Sequence, residues 1–120
     1  MNLRPYKKED AAKILSWIKD EREFRLWSAD RYKNYPCQPS DINDNYLNCM
    51  KTSSFYALTL EDNENVVGHL ILRNPGEDKT IVRLGFIIID DSIRKKGYGK
   101  KLIKEAIRYA KEKWARKKSN

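Results

Sequence analysis

The sequence predicts an α+β domain of mixed α/β character, in which an antiparallel meander of strands is flanked by helices. Three observations predict this class. Apolar residues recur at helical spacing near the N-terminus, three β-rich runs separated by short polar connections follow, and a longer amphipathic pattern comes last. Because the chain has 120 residues and no internal repeat, we expect one domain comprising residues 1–120.

The first predicted elements are an edge strand and a helix. Residues 3–6 alternate apolar and polar side chains around Pro5, which suits an edge strand because proline has no N–H to donate. Asp10 then precedes an amphipathic helix. Its buried stripe follows the i, i+3, i+4, i+7 spacing of Ala11, Ile14, Leu15 and Ile18.

The next segment, residues 21–39, is rich in aromatic residues but shows no clean period. We expect a short helix there, followed by an irregular loop. Ser40 is a suitable N-cap for a further helix. The side of that helix predicted to be buried consists of Ile42, Tyr46, Leu47 and Met50.

Three β-rich runs occupy residues 55–60, 66–73 and 80–89. The polar connections between them are short, which predicts an antiparallel meander. The last run ends in the continuous apolar string 86–89, typical of a strand covered on both faces, and we expect it to be central in its sheet. A long helix then follows, marked by Leu102, Ile103, Ala106, Ile107, Ala110 and Trp114.

Charge is distributed unevenly. Residues 94–120 contain twelve Lys and Arg against two acidic residues, whereas residues 1–93 carry a net charge of −2 within the total of +8. The basic run is either a solvated helix face or a site for a phosphate ligand, so nucleic acid is not the favoured partner. The chain has no apolar run of membrane-spanning length and no signal-peptide core, and we expect no membrane association and a cytoplasmic location. Cys37 and Cys49 lack metal or redox spacing, and no metal is expected.

The turn Arg94-Lys95-Lys96-Gly97-Tyr98-Gly99 lies between a buried strand and a helix. The first N–H groups of a helix have no internal partner and carry partial positive charge, so anions bind there. The two glycines lack Cβ atoms and let the backbone approach a bulky pyrophosphate closely. The sequence matches neither the Walker loop nor the full dinucleotide fingerprint. It therefore predicts a nucleotide-type pyrophosphate ligand other than ATP or NAD.

Residues 84–90, followed by Arg94, Gly97 and Gly99 and then a helix, resemble the acetyl-CoA signature of the GNAT N-acetyltransferases. That signature is Gln or Arg, two residues, Gly, one residue, then Gly or Ala. The order of elements resembles the family over essentially all 120 residues. The resemblance implies a GNAT acyl-CoA N-acyltransferase-like fold that binds acetyl-CoA.

The resemblance also assigns residues to the ligand. The pyrophosphate would lie on the turn and pantetheine along the preceding strand, one N–H of which would polarise the thioester carbonyl. Trp27, Arg31 and Tyr32 fall in the region that lines the acceptor pocket in the family, although a core role is equally compatible with them. The cofactor-binding residues implied are Ile87, Ile88, Ile89, Arg94, Lys95, Lys96, Gly97, Tyr98, Gly99 and Lys100.

The family chemistry is direct attack of a neutral amine, from a small molecule or a peptide, on acetyl-CoA, without a covalent intermediate or a metal. The catalytic residues stay unassigned. A general base, either a carboxylate or a water chain, is needed. Glu21, Glu23, Asp30 and Glu61 are available, but we interpret each of them first as a surface carboxylate. We interpret His69 as a packed or half-exposed strand residue rather than a catalytic one.

The sequence departs from the family at its C-terminus. It stops at Asn120, after the long helix. The family continues with a fifth strand and a helix that often supplies the Tyr that protonates the leaving thiolate. We therefore expect an excised domain, a natural short form or half of a shared site, with poor turnover. A homodimer that pairs the exposed edge of residues 80–89 is also expected. The alternative function is a non-catalytic binding protein whose basic helix, residues 100–118, contacts nucleic acid or another acidic partner.

Overall fold

A computed structural model describes residues 2–28, 32, 35–52, 54–74 and 83–118. The elements, in chain order, are β1 (Asn2–Pro5), α1 (Asp10–Ser16), α2 (Glu21–Ser28), α3 (Pro39–Thr52), β2 (Ser54–Asp62), β3 (Asn65–Asn74), β4 (Arg83–Ile89), a 3₁₀ helix (Asp91–Lys96) and α4 (Tyr98–Lys118). This mixed α/β order confirms the predicted fold class.

The four strands form one antiparallel sheet in the order β1-β2-β3-β4. The predicted meander and the edge position of β1 are confirmed. The β2–β3 connection is tighter than the sequence suggested, because Asp62 pairs with Asn65 and only two residues form the turn. Both of these, Asn63 and Glu64, have positive φ (52° and 69°), the backbone that a two-residue hairpin requires.

The prediction that the last strand is central was wrong. Among the strands that the structure describes, β4 lies at the edge opposite β1. Its apolar string arises because the strand is covered above and below: Phe86 and Ile88 pack under α1–α3, and Ile89 packs against α4. An apolar run indicates that both faces of a strand are covered but carries no information about its edges. Ile87, in this edge strand, is 41% exposed.

Two apolar layers sandwich the sheet. On one face, α1, α2 and α3 contribute fully buried side chains that include Ile14, Phe24 and Ile42. On the other face, α4 lays Leu102, Ala106 and Ala110 over the leucines of β2 and β3. Each large apolar side chain removed from water in this way stabilises the fold by about 1.5–3 kcal/mol. The two layers hold the start of α4 and the end of β4 in a fixed relation.

Two helices bury narrower stripes than the sequence predicted. In α3, Ile42 and Tyr46 are buried as expected, but Leu47 and Met50 are exposed. The stripe continues instead to the half-buried Cys49, one turn on from Tyr46. In α4 the stripe is Leu102, Ala106 and Ala110, spaced four apart, which rotates Ile107 towards solvent. The side chain of Trp114 lies outside the described residues.

A buried ion pair joins β1 to α1. The Arg4 guanidinium donates to both Asp10 carboxylate oxygens at 2.8 and 2.9 Å and reaches Glu61 at 3.1 Å. Thr59 Oγ1 and the Lys7 backbone N–H also donate to Asp10. Burial raises the pKa of the Asp10 carboxyl, but the Arg4 contact and the other hydrogen bonds outweigh burial and lower it. Asp10 is therefore held as a carboxylate at the base of the helical layer.

Candidate functional site

The edge strand β4 contains a bulge. His69 pairs with Ile88 and Ile71 pairs with Gly85, so a single β3 residue faces two β4 residues, Phe86 and Ile87. Phe86 adopts φ +50°, a left-handed conformation that non-glycine residues rarely take. The bulge was not predicted from the sequence. Its only sequence signal is Gly85 just before it, and a glycine inside a strand is equally typical of a bend or of close backbone approach.

Helix α2 is anchored to this bulge. The indole Nε1–H of Trp27 donates to the Phe86 carbonyl oxygen at 2.9 Å, and the two rings lie 5.1 Å apart. Tyr32 stacks on Trp27 with ring centroids 6.5 Å apart. Both are only 8% exposed, so they contribute to the core as well as to the site region. The third predicted acceptor-pocket residue, Arg31, lies outside the described residues.

A groove of about 400 Å³ runs between α2 and the edge of β4. Its strand side consists of Ile87, Ile88 and Ile89, the three residues predicted to lie along pantetheine. Its helix side consists of Glu23, Leu26 and Trp27. The structure thus brings the predicted strand residues and one predicted acceptor residue together around a single groove.

One capped turn links β4 to the 3₁₀ helix. Asp90 Oδ1 accepts hydrogen bonds from the Ser92 backbone N–H at 3.0 Å and the Ser92 hydroxyl at 2.9 Å. Partial burial raises the pKa of the Asp90 carboxyl, and these two bonds outweigh burial and lower it. The Asp90 N–H donates to Val67 O, so the β3–β4 ladder extends to the turn itself. The helix start is therefore tied to the strand that precedes it.

The predicted phosphate turn is a 3₁₀ helix followed by one left-handed residue. Asp91–Lys96 form the 3₁₀ helix, Gly97 has φ +81°, and α4 begins at Tyr98. The backbone of Arg94, Lys95 and Lys96 belongs to the 3₁₀ helix, but their side chains are not among the described parts. A left-handed residue here favours glycine, because any Cβ would strain the backbone.

The start of α4 is open to a ligand. A Cβ added at Gly97 or Gly99 would have no described neighbour within 4 Å. The first turn of α4 contains no acidic residue, so the positive end of the helix dipole is not neutralised there. The Tyr98 hydroxyl donates to Asp62 at 2.8 Å, which fixes the helix start against the β2–β3 hairpin. Within the described part of the chain, an anion can therefore approach this turn on the side of the two glycines.

The four candidate bases fall in different places. Glu21 pairs with Arg25 at 3.3 Å on the surface of α2, and Glu61 pairs with Arg4 at 3.1 Å. Asp30 lies outside the described residues. Of the three carboxylates that the structure describes, only Glu23 lines the groove beside β4.

His69 is fully buried in β3 and is therefore the packed strand residue that the sequence favoured. Its Nε2 and the Tyr46 hydroxyl are hydrogen-bonded at 2.7 Å. Burial lowers the pKa of the imidazole to about 4, against smaller raising effects of the Leu58 backbone and Asp10. The ring is consequently neutral at pH 7 and belongs to the core under α3.

Across the described ranges, no helix has the length and apolarity needed to cross a membrane. The same part of the chain holds no group of three or more His, Cys, Asp or Glu side chains placed to bind a metal ion.

Residues 12–119 match the model of the acetyltransferase (GNAT) family. Among curated proteins, no sequence matches this chain significantly. Several solved structures share the fold. A spermidine N-acetyltransferase from Vibrio cholerae, in complex with CoA and spermine, is 18% identical with a TM-score of 0.69; the match covers 91% of this chain and 62% of that one.

Two further structures are similar. A GNAT family acetyltransferase from Staphylococcus aureus is 19% identical with a TM-score of 0.61, and 92% and 78% of the two chains are covered. An aminoglycoside 6′-N-acetyltransferase complexed with coenzyme A is 15% identical with a TM-score of 0.61, and 93% and 56% are covered. The chain thus spans less than two thirds of the length of the spermidine and aminoglycoside enzymes.

Proposed function

The chain belongs to the acetyltransferase (GNAT) family, and from this premise we propose that it binds acetyl-CoA between β4 and α4 and transfers the acetyl group to a primary amine. The observation that carries the proposal is the open N-terminus of α4 placed directly after the groove-forming edge strand. The crystal structures with CoA from the spermidine and aminoglycoside enzymes, which share this fold, support the same ligand.

In this proposal the pyrophosphate lies against the turn of Arg94, Lys95, Lys96, Gly97, Tyr98, Gly99 and Lys100. The Lys101 N–H donates back to Gly97 O at 3.3 Å. The N–H groups that precede it in the first turn of α4 are therefore the ones proposed to donate to the pyrophosphate oxygens. The exposed Lys100 adds positive charge beside them. The turn is thus suited to an anion by dipole, by charge and by open space.

The pantetheine arm is proposed to follow Ile87, Ile88 and Ile89 along the groove. A strand edge offers N–H and C=O groups at regular spacing to an extended amide-bearing chain. The bulge at Phe86 changes the direction of the backbone where this edge begins. A backbone N–H of the strand then stabilises the oxyanion that develops on the thioester carbonyl.

The reaction is direct transfer. The amine nitrogen forms a bond to the acetyl carbon, the carbon–sulfur bond breaks, and the electron pair leaves with the coenzyme A sulfur. The amine loses a proton to a base, and the thiolate takes up a proton. We propose Glu23 as the carboxylate that accepts the amine proton, directly or through a water, because it lines the groove opposite the predicted pantetheine strand.

Calorimetric titration with coenzyme A tests the proposal. Gly99→Val places a branched side chain where the backbone should meet the pyrophosphate, and we expect it to weaken binding at least tenfold, about 1.4 kcal/mol. The matched control is Lys104→Val, which makes the same new side chain at an exposed position of the same helix. Equal affinity of the Gly99→Val and Lys104→Val variants would overturn the assignment of the turn.

A further inference from the structure

A second cavity, of about 210 Å³, also has Trp27 in its lining. It is partly open and lies between the end of α2 and the paired parts of β3 and β4. Its polar lining consists of Ser28, Arg73 and Arg83, and Trp27, Gly85 and Phe86 contribute to its walls. None of these side chains has a part in the coenzyme A turn.

The two arginines face each other across the sheet. Arg73 and Arg83 are register partners in the β3–β4 pair, so their side chains project from the same face. Like charges directly opposite each other destabilise a pair of strands. Among the described residues neither guanidinium forms an ion pair. The register alone brings two positive charges to the lining of the cavity, and an anion bound there would reduce the repulsion between them.

Ser28 supplies an independent observation. It is 1% exposed, lines the same cavity, and its Oγ has no hydrogen-bond partner in the part of the chain that the structure describes. A buried hydroxyl without a partner costs free energy, and native proteins usually supply one. An anion held by the arginines would offer the acceptor oxygen that this hydroxyl lacks.

The position of the cavity relates it to the acetyl-transfer groove. Trp27 lines both volumes, and the bulge residue Phe86 lines the cavity immediately before the groove begins at Ile87. Gly85 and Ile88 pair with Ile71 and His69, which are two residues apart on β3, so they lie about 7 Å apart at strand spacing. A molecule whose amine lies in the groove can therefore extend into the cavity by a chain of several bonds.

We propose that the cavity binds the carboxylate of a zwitterionic acceptor, an amine that carries its anionic group several bonds away, such as an ω-amino acid or a short peptide. The inference rests on the proposed acetyl transfer and names its substrate class. Glu23 lies at the amine end of such an acceptor, while Arg73 and Arg83 lie at the carboxylate end. A polyamine would bring a second cation against two guanidinium groups and is disfavoured on this charge pattern.

The test is calorimetry on the full chain, both with and without saturating coenzyme A, using 6-aminohexanoate, hexylamine and spermidine as probes. Hexylamine matches the first probe but lacks the carboxylate. We expect 6-aminohexanoate to bind at least tenfold more tightly than either amine. Arg83→Gln should remove most of that preference. The control Arg108→Gln removes one positive charge from an exposed position of α4 and should leave the preference intact.

Each outcome bears on the proposal. Equal binding of the three probes, or a preference that survives both Arg83→Gln and Arg73→Gln, would overturn it. Binding of inorganic phosphate at the arginines without binding of 6-aminohexanoate would show a free-anion site and would also overturn it. If coenzyme A does not bind but 6-aminohexanoate binds in an arginine-dependent way, the carboxylate site stands and the proposed acetyl transfer fails.

Discussion

The indole Nε1–H of Trp27 donates a hydrogen bond to the carbonyl oxygen of Phe86 at 2.9 Å. This bond satisfies a backbone group at the bulge, where the strand ladder is interrupted and Phe86 has φ +50°. Left-handed backbone at a non-glycine residue is strained and persists only when its surroundings hold it. Trp27 therefore holds the shape of β4 at the point where the groove begins.

Trp27→Phe is expected to destabilise the fold by about 1–3 kcal/mol, because the buried Phe86 carbonyl loses its side-chain donor while the aromatic packing is largely retained. Coenzyme A affinity should fall along with stability, since the groove shares this strand. Urea unfolding and calorimetry measure the two effects. Arg22→Gln, at an exposed position of the same helix, is the control and should stay within about 0.5 kcal/mol of the parent. Unchanged stability of Trp27→Phe would refute the holding role.

Asp10→Asn should destabilise the fold by about 1–3 kcal/mol at pH 7, because Arg4 loses its two-oxygen contact with Asp10 and keeps only the carboxylate of Glu61. The pKa of the Asp10 carboxyl is lower in the folded state than its ordinary value of 3.8. Its contribution is therefore fully present above that value and is lost as pH falls through the folded pKa. Urea unfolding from pH 7 to pH 2.5 should show this loss in the parent and not in the variant.

His69 should impose a second, separate pH dependence. Its pKa is about 4 in the folded state against 6.5 ordinarily, so the unfolded chain binds more protons between these values. Stability should then rise with pH from about 4 to 6.5, by up to about 3 kcal/mol, and His69→Leu should flatten this interval. A titration of the imidazole resonances by NMR checks the pKa directly, and a midpoint near 6.5 would contradict burial as its cause.

Glu23→Gln should lower kcat for acetyl transfer to a primary amine at least tenfold, as expected when a general base is removed. Coenzyme A should still bind, because its proposed pyrophosphate contacts are with the glycine turn and do not involve Glu23. A thiol-release assay measures kcat. Glu21→Gln is the matched control, since Glu21 lies on the same helix and pairs with Arg25 instead. Equal kcat in the two variants would remove Glu23 from the reaction.

In the absence of coenzyme A, whose pantetheine arm is proposed to use the same edge, the chain is predicted to form homodimers through β4. This strand is at the edge of the described sheet and exposes Ile87, and such edges pair with other chains unless they are blocked. Light scattering over a concentration series should show a mass rising towards the dimer. Ile87→Lys should shift the distribution to monomer, because a charge on an edge strand opposes pairing. A monomeric mass at high micromolar concentration would rule out this contact.

Pro5, the helix periods and the polar connections were enough to predict the edge position of β1, the long C-terminal helix and the meander. They were not enough to predict that β4 is at the other edge, because an apolar run shows only that both faces of a strand are covered. The bulge at Phe86 escaped prediction because positive φ at a phenylalanine is imposed by packing against Trp27, a contact between residues 59 positions apart. The pairing of Arg73 with Arg83 likewise follows from register, which the composition of the two strands does not specify.

The shared wall formed by Trp27 has an evolutionary consequence. Trp27 lines volumes of about 400 and 210 Å³, and a smaller residue at this one position would enlarge both. The glycine turn and the start of α4 lie elsewhere on the sheet and would keep their form. A change of one codon could thus widen the range of acceptors, at the cost of the stability and the coenzyme A affinity that the indole supports.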